Sequence, residues 1–286
     1  MATAVTVLGT GIMGAGMAKN LAGAGFDVTV WNRSPDKAQS LAGAGVTVAP
    51  DVTSAVADAD IVLTMLFDLE AVVAVMEQAL PAVGPGTVWV QSSTVGVDVT
   101  ATLAELAERH GVSFVDAPVL GTRQPAEQGT LVVLAGCPAA LHDTVTPLFD
   151  AVGSRTVWVG EQPGDGQRLK LTVNSWVLSL VAATAQAVEL AGDLGLDPQL
   201  FLDTIAGSPT DCAYAQLKGK TMIAKEFPPA FPLNGAIKDA ALIAQAMHTA
   251  GTDDRLMHVL QTQFQAAADA GHADEDMAAV LHSFRR

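Results

Sequence analysis

Residues 5 to 24, VTVLGTGIMGAGMAKNLAGA, constrain the fold more than any other stretch of the chain. An apolar β-rich run meets glycines spaced G-x-G-x-x-G at Gly9, Gly11 and Gly14, and an Ala/Met-rich helical segment follows. Each glycine has a separate reason to be there. Gly9 permits a tight turn, Gly11 lets the backbone approach a pyrophosphate, and Gly14 lets the helix pack closely on the sheet. The helix N-terminus at Ile12 and Met13 then offers N–H groups to an anion. A glycine-rich turn alone would be a bland structural feature. Between an N-terminal strand and a helix, with a second strand beyond, the spacing fits a dinucleotide site.

The end of that second strand discriminates between cofactors. A carboxylate about 20 residues on accepts from the ribose hydroxyls of NAD. This chain reads WNRSPDK there, with Asn32, Arg33 and Ser34. An arginine and a hydroxyl suit a 2′-phosphate, so NADP(H) is expected in preference to NAD(H). An ordinary solvated arginine is the alternative.

Over residues 1 to about 160, β-rich runs at 4–9, 27–32, 60–66, 87–93, 112–118 and 131–136 alternate with helical segments such as 14–24, 35–44 and 99–110. That alternation predicts βαβ units and a mainly parallel sheet, and 157–160 could add a strand. After Gly160 the character changes. The turn cluster EQPGDG leads into helical sequence at about 166–195, 198–206, 211–224, 234–251, 254–270 and 273–284, with no convincing strand. The expected fold class is therefore α/β then all-α, with domains at 1–162 and 163–286 and a long helix opening the second.

A formal charge of -15 argues against nucleic acid as a partner and disfavours anionic membranes. The two cysteines, Cys137 and Cys212, form neither a close pair nor a ligand cluster, so neither a disulfide framework nor a metal site is expected. The opening run reads as a strand, not as a secretory signal. The longest apolar span, 169–190, carries Lys170, Asn174, Gln186 and Glu189, which suits a core helix better than a lipid-facing one. A cytoplasmic protein is the default expectation.

Four stretches, GTGIMGAGMAKNL (9–21), DAPVLGTRQPAEQGTL (116–131), GDGQRLKLTVN (164–174) and IKDAALIAQA (237–246), resemble the β-hydroxyacid dehydrogenase family in order and spacing. That family is 3-hydroxyisobutyrate dehydrogenase-like and related to 6-phosphogluconate dehydrogenase. The stretch around Asp116 also looks like the subgroup that reduces glyoxylate and succinic semialdehyde. The resemblance implies an N-terminal Rossmann domain, a long interdomain helix, a helical C-terminal domain that commonly dimerises, and hydride transfer at the cleft. A homodimer acting on a small-molecule carbonyl or alcohol is the corresponding expectation.

Lys170 matches the family's catalytic lysine and Asn174 its partner asparagine. The chemistry is coherent: oxidising an alcohol needs a base for the hydroxyl proton, and reducing a carbonyl needs the same group as an acid. Spaced i, i+4, the two share a helical face, although a lone lysine in a helix's first turn more often snorkels to solvent. Lys238 and Asp239 match the family's Lys-Asp pair near cofactor and substrate, and Phe231 a position that often closes the site. Ser93 and Thr94 match the nicotinamide-side Ser-Thr, and Met65 and Leu66 a strand end that touches cofactor.

One departure stands out. The family's DAPVSGG reads DAPVLGT, so Leu120 and Thr122 flank Gly121 in the segment that normally cradles a substrate carboxylate. Leu120 cannot donate a hydrogen bond, which favours a bulkier or less polar carbonyl unless it points away from the substrate. Arg123 is a candidate replacement anchor. The leading expectation is an NADPH-dependent reductase of a small or medium aldehyde or keto acid. An imine reductase on the same plan is the alternative, though that group typically carries Asp or Tyr in place of the lysine. A non-catalytic NADP-binding protein comes third.

Overall fold

In a computed structural model that describes residues 2–285, the chain divides into two compact units, Met1–Lys170 and Leu171–Arg286. The division falls inside one helix.

The first unit is a nine-stranded sheet flanked by helices. Its strands are β1 (Ala4–Leu8), β2 (Asp27–Trp31), β3 (Val46–Val48), β4 (Ile61–Thr64), β5 (Val88–Gln91), β6 (Ser113–Asp116), β7 (Val119–Leu120), β8 (Leu131–Gly136) and β9 (Gly153–Gly160). The helices between them are α1 (Ile12–Gly23), α2 (Pro35–Gln39), α3 (Val52–Val56), α4 (Leu69–Ala79), α5 (Thr100–Arg109), α6 (Arg123–Gln128) and α7 (His142–Val152). The strand order is β3-β2-β1-β4-β5-β6-β8-β7, with β9 on β8. The order in which strands are added reverses between β1 and β4, which is where open α/β sheets bind ligands. From β3 to β6 every pairing is parallel; β8 runs antiparallel to β6 and β7.

The pleat explains the burial on both faces. Val88 and Val90 join a core with Met17, Leu21, Leu148 and Phe149, from α1 and α7. Trp89 points the other way into a second core with Val72, Met76 and Leu103, from α4 and α5. There it meets Phe114 edge-on at 5.0 Å and donates to Thr64 Oγ1 at 3.0 Å. Burying both faces requires apolar residues at successive positions, as in the Ile-Val-Leu run of β4. Two strands escape the sequence reading: β3 and β7 are only three and two residues long, and pairing with β2 and β8 creates them.

The helix at the division, α8 (Asp165–Asp193), is followed by α9 (Pro198–Ile205), α10 (Ala213–Ala224), α11 (Leu233–Ala250) and α12 (Arg255–Ala267). A π turn (Ala268–His272) and a 3-10 helix (Met277–Phe284) complete the second unit. On α11 the buried residues Leu233, Ala236, Ala240, Ile243 and Ala244 form one helical stripe. Among the described residues, α8 is the one helix long and apolar enough to cross a membrane by length and composition. Its apolar stripe of Leu178, Val181, Ala185 and Val188 is buried within the protein.

Candidate active site

The glycine loop occupies the strand ends at the reversal of strand order. Gly9 has φ +105°, and a Cβ there would lie 2.3 Å from Met65 O. A Cβ at Gly14 would lie 1.9 Å from Gly9 O. These two glycines hold the turn and the helix packing. Gly11 differs: a Cβ there meets nothing within 4 Å, and no side chain caps the start of α1. Beside it, Thr10 Oγ1 is buried without a hydrogen-bond partner among the described residues. Open space over an uncapped helix start and an orphaned hydroxyl fit the pyrophosphate of a nicotinamide dinucleotide.

Asn32 takes a role the sequence did not disclose. Its Oδ1 accepts from Thr10 N at 3.0 Å and its Nδ2 donates to Ser34 O, so it ties the end of β2 to the glycine loop. Arg33 and Ser34 are exposed beside it. At the ends of β4 and β5, the Ser93 hydroxyl accepts from Leu66 N at 2.8 Å, while Ser93 N donates to Gln91 Oε1. Ser93 thus links the strand ends that carry Met65, Leu66 and Thr94.

Behind Ser93 lies a pair that sequence reasoning passed over. Asp116, at the end of β6, is wholly buried; its Oδ2 accepts from the backbone N–H groups of Gly164 and Gln167 and its Oδ1 from Gln167 Nε2. Gln167 also donates to Ser93 O and accepts from Val95 N. Burial pushes the Asp116 carboxyl up to about 6, against the pull of the N–H groups of Gln167, Gly164 and Gly166. The available clue was an uncharged amide in the first turn of an apolar helix, just after Gly164 and Gly166.

This anchoring fixes the first turn of α8, from which Lys170 projects. Lys170 is 9% exposed, and its Nζ donates to Val119 O at 2.8 Å. Val119 immediately precedes Leu120, so the lysine is held against the segment expected to carry substrate. Leu120 is half-buried at the end of β7, Gly121 has φ +127°, and Thr122 starts α6 without capping it. A Cβ at Gly121 would come within 2.7 Å of the Leu131 side chain, so only glycine suits that turn. Arg123 is exposed on α6.

In the second unit, Asn174 Nδ2 donates to Asp239 Oδ2 at 2.6 Å, and Lys238 Nζ lies 2.8 Å from Asp239 Oδ1. Asn174 and Asp239 are both buried at 3% exposure. Three of the expected site residues therefore form one polar chain. Phe231 is half-buried against Gly235 at the start of α11.

Comparison with known proteins agrees with this organisation. The family model described as the NAD binding domain of 6-phosphogluconate dehydrogenase matches residues 4–160. A second, described as NAD-binding of NADP-dependent 3-hydroxyisobutyrate dehydrogenase, matches 164–284. The chain is 32% identical over 281 residues to chloroplastic glyoxylate/succinic semialdehyde reductase 2 of Arabidopsis thaliana, covering 97% of this chain and 78% of that protein. A solved structure of Mycobacterium tuberculosis 3-hydroxyisobutyrate dehydrogenase with L-serine is 32% identical, with TM-score 0.88 and 100% of both chains covered. Imine reductase from Pseudomonas sp. shares the fold at 20% identity and TM-score 0.63, over 100% of both chains. This chain belongs to the β-hydroxyacid dehydrogenase family, as an NAD(P)-dependent oxidoreductase acting on CH–OH groups.

Proposed function

We propose that the protein is an NADPH-dependent reductase that interconverts a small or medium aldehyde or keto acid and its alcohol or hydroxyacid, with Lys170 as general acid and base. The observation that carries this reading is the burial of Lys170 with its Nζ on the Val119 carbonyl, at the edge of the Leu120–Thr122 segment. A bound nicotinamide supplies the hydride in reduction and accepts it in oxidation. Lys170 gives a proton to the substrate oxygen as the carbonyl is reduced and takes it back as the alcohol is oxidised. Asn174 is one helical turn along α8, and its Nδ2 is committed to Asp239. Its Oδ1 is then the atom that can orient an ammonium or a substrate hydroxyl.

L-serine in the Mycobacterium tuberculosis structure, a β-hydroxy compound with a carboxylate, supports a substrate of that class. Leu120 adds an apolar wall at this position and favours a longer or less polar carbonyl. Arg33 and Ser34, exposed with no carboxylate at the end of β2, support NADPH over NADH. Exposed Trp176, Leu190 and Leu194 on α8 and its extension support a homodimer, since such a stripe needs a partner surface.

The test is NADPH oxidation with succinic semialdehyde, glyoxylate, a bulky aldehyde and a cyclic imine, in wild type and Lys170→Met. Aldehyde turnover lost in the variant supports the assignment. Imine turnover that survives the substitution, with no aldehyde turnover in wild type, overturns it in favour of imine reduction. Tight cofactor binding with no turnover of any compound points to a non-catalytic protein.

A further inference from the structure

The C-terminal segment holds a constellation that lies outside this chemistry. His272, Glu275 and His282 each offer a ligand atom, and these atoms all lie within 4.8 Å of one another. His272 Nδ1 already meets Glu275 Oε2 at 2.8 Å. The two imidazoles are stacked, with centroids 3.8 Å apart and planes 5° from parallel. We propose that His272, Glu275 and His282 form a binding site for a divalent transition-metal ion, of which Zn²⁺ is the natural representative.

The donor set argues for that class of ion. Two imidazoles are borderline nitrogen donors that, with one hard carboxylate, suit Zn²⁺, Ni²⁺ or Cu²⁺, whereas Mg²⁺ and Ca²⁺ take oxygen ligands alone. All three residues are partly buried, so water reaches the site and can complete the coordination shell. With the ring planes 5° from parallel and their centroids 3.8 Å apart, in-plane lone pairs of both imidazoles cannot meet at one ion as the rings stand. Ligation therefore splays the stack until both lone pairs converge on the ion, and the ion takes over the carboxylate that His272 now holds. Phe227 stands edge-on to His282 at 5.3 Å, so this splaying also shifts a ring contact. Glu189 and Arg285, paired at 3.1 Å, both lie in the surroundings of His282, so Glu275 is the carboxylate that the site itself supplies.

The backbone that carries the ligands is firmly held. Glu275 N donates to His272 O, closing the turn that sets the two residues three apart on one side. Glu275 O accepts from Leu233 N, and Ala273 O accepts from Asn234 N. Met277 N donates to Phe231 O. The ligand segment is thereby clamped to the first turn of α11, the helix that carries Lys238 and Asp239. An ion at this site would stiffen that attachment, which makes it a structural or regulatory metal and not a reactant.

The test uses the full chain, stripped with EDTA and desalted, titrated calorimetrically with ZnCl₂ and with MgCl₂. One equivalent of Zn²⁺ should bind saturably, and Mg²⁺ should not. His272→Ala and His282→Gln should each abolish the saturable phase. His258→Gln should leave it intact; that residue belongs to a separate cluster with His248 around Asp254. Co²⁺ gives an independent readout, because ligation by imidazole and carboxylate produces a visible absorption band that both site variants should lose. Circular dichroism of the variants distinguishes lost ligands from lost fold. Should a variant unfold, the Co²⁺ band of Glu275→Gln, expected to shift or vanish, carries the test. Absence of Zn²⁺ binding to wild type overturns the proposal. So does binding that persists in a folded His272→Ala/His282→Gln protein, or that disappears with His258→Gln.

Discussion

Replacing Gly11 by alanine separates two jobs that the glycines share in the sequence. The structure assigns Gly9 and Gly14 to packing and Gly11 to approach. At Gly11 the backbone has φ -73° and ψ -163°, which any residue adopts, and an added Cβ meets no atom within 4 Å. The fold should therefore lose about 1 kcal/mol or less, the usual cost of alanine at a helix N-cap. The methyl instead fills the space a phosphate must enter. Pushing the phosphate away removes one N–H bond to a charged group, worth about 1.5–3 kcal/mol, which is roughly a 10- to 150-fold rise in Kd. Gly14→Ala serves as the contrast, because its Cβ would lie 1.9 Å from Gly9 O. There the backbone must move, and a loss of roughly 2 kcal/mol or more in stability is expected. Cofactor Kd from calorimetry and stability from urea denaturation read the two effects separately. Gly11→Ala protein that binds NADPH as tightly as wild type would refute the reasoning, as would Gly14→Ala protein of unchanged stability.

Other consequences are equally open to measurement. Arg33→Ala should raise KM for NADPH about tenfold or more while barely altering that for NADH; equal effects on both cofactors would remove the 2′-phosphate assignment. Asp116 has its folded value near 6 and its ordinary value at 3.8, so the folded state binds the proton more tightly. Its contribution is most favourable below pH 3.8 and is lost as pH rises through 6, by about 3 kcal/mol in all. The stability difference between wild type and Asp116→Asn should consequently drift in the variant's favour between pH 4 and 7, and a constant difference across that range would contradict it. In the second unit, Lys218 Nζ pairs with Asp276 Oδ1 at 2.6 Å, both buried, while Asp276 Oδ2 holds the N–H groups of Ala230 and Phe231. Lys218→Met leaves that carboxylate buried without its cation and should cost about 3–5 kcal/mol in chemical denaturation. A change under about 0.5 kcal/mol would show that the backbone donors suffice.

The sequence by itself determined those features whose cause is local. A strand, a glycine turn and a helix within 20 residues specify the nucleotide loop, because the G-x-G-x-x-G spacing is itself local, as is the contact of Gly14 with Gly9 O; that Gly9 also abuts Met65 O shows only in the folded sheet. Helix α8 was legible for the same reason, through its apolar periodicity, as was the i, i+4 placing of Lys170 and Asn174. Tertiary structure alone decided what distant segments do to one another. Strands β3 and β7 are too short to carry a period and exist because a paired edge captures them. Asn32, expected at the cofactor, also fastens the glycine loop, since Thr10 N lies within its reach only after β1 and β2 have paired. Gln167 and Asp116 became visible as a unit only when the end of β6 met the start of α8. The pairing of Asn174 with Asp239 spans two helices, and the meeting of His272 with His282 depends on a turn and a 3-10 helix folding back together. Sequence spacing encodes contacts across a turn or two of chain, whereas these contacts follow from hydrophobic packing that brings remote polar groups within bonding distance.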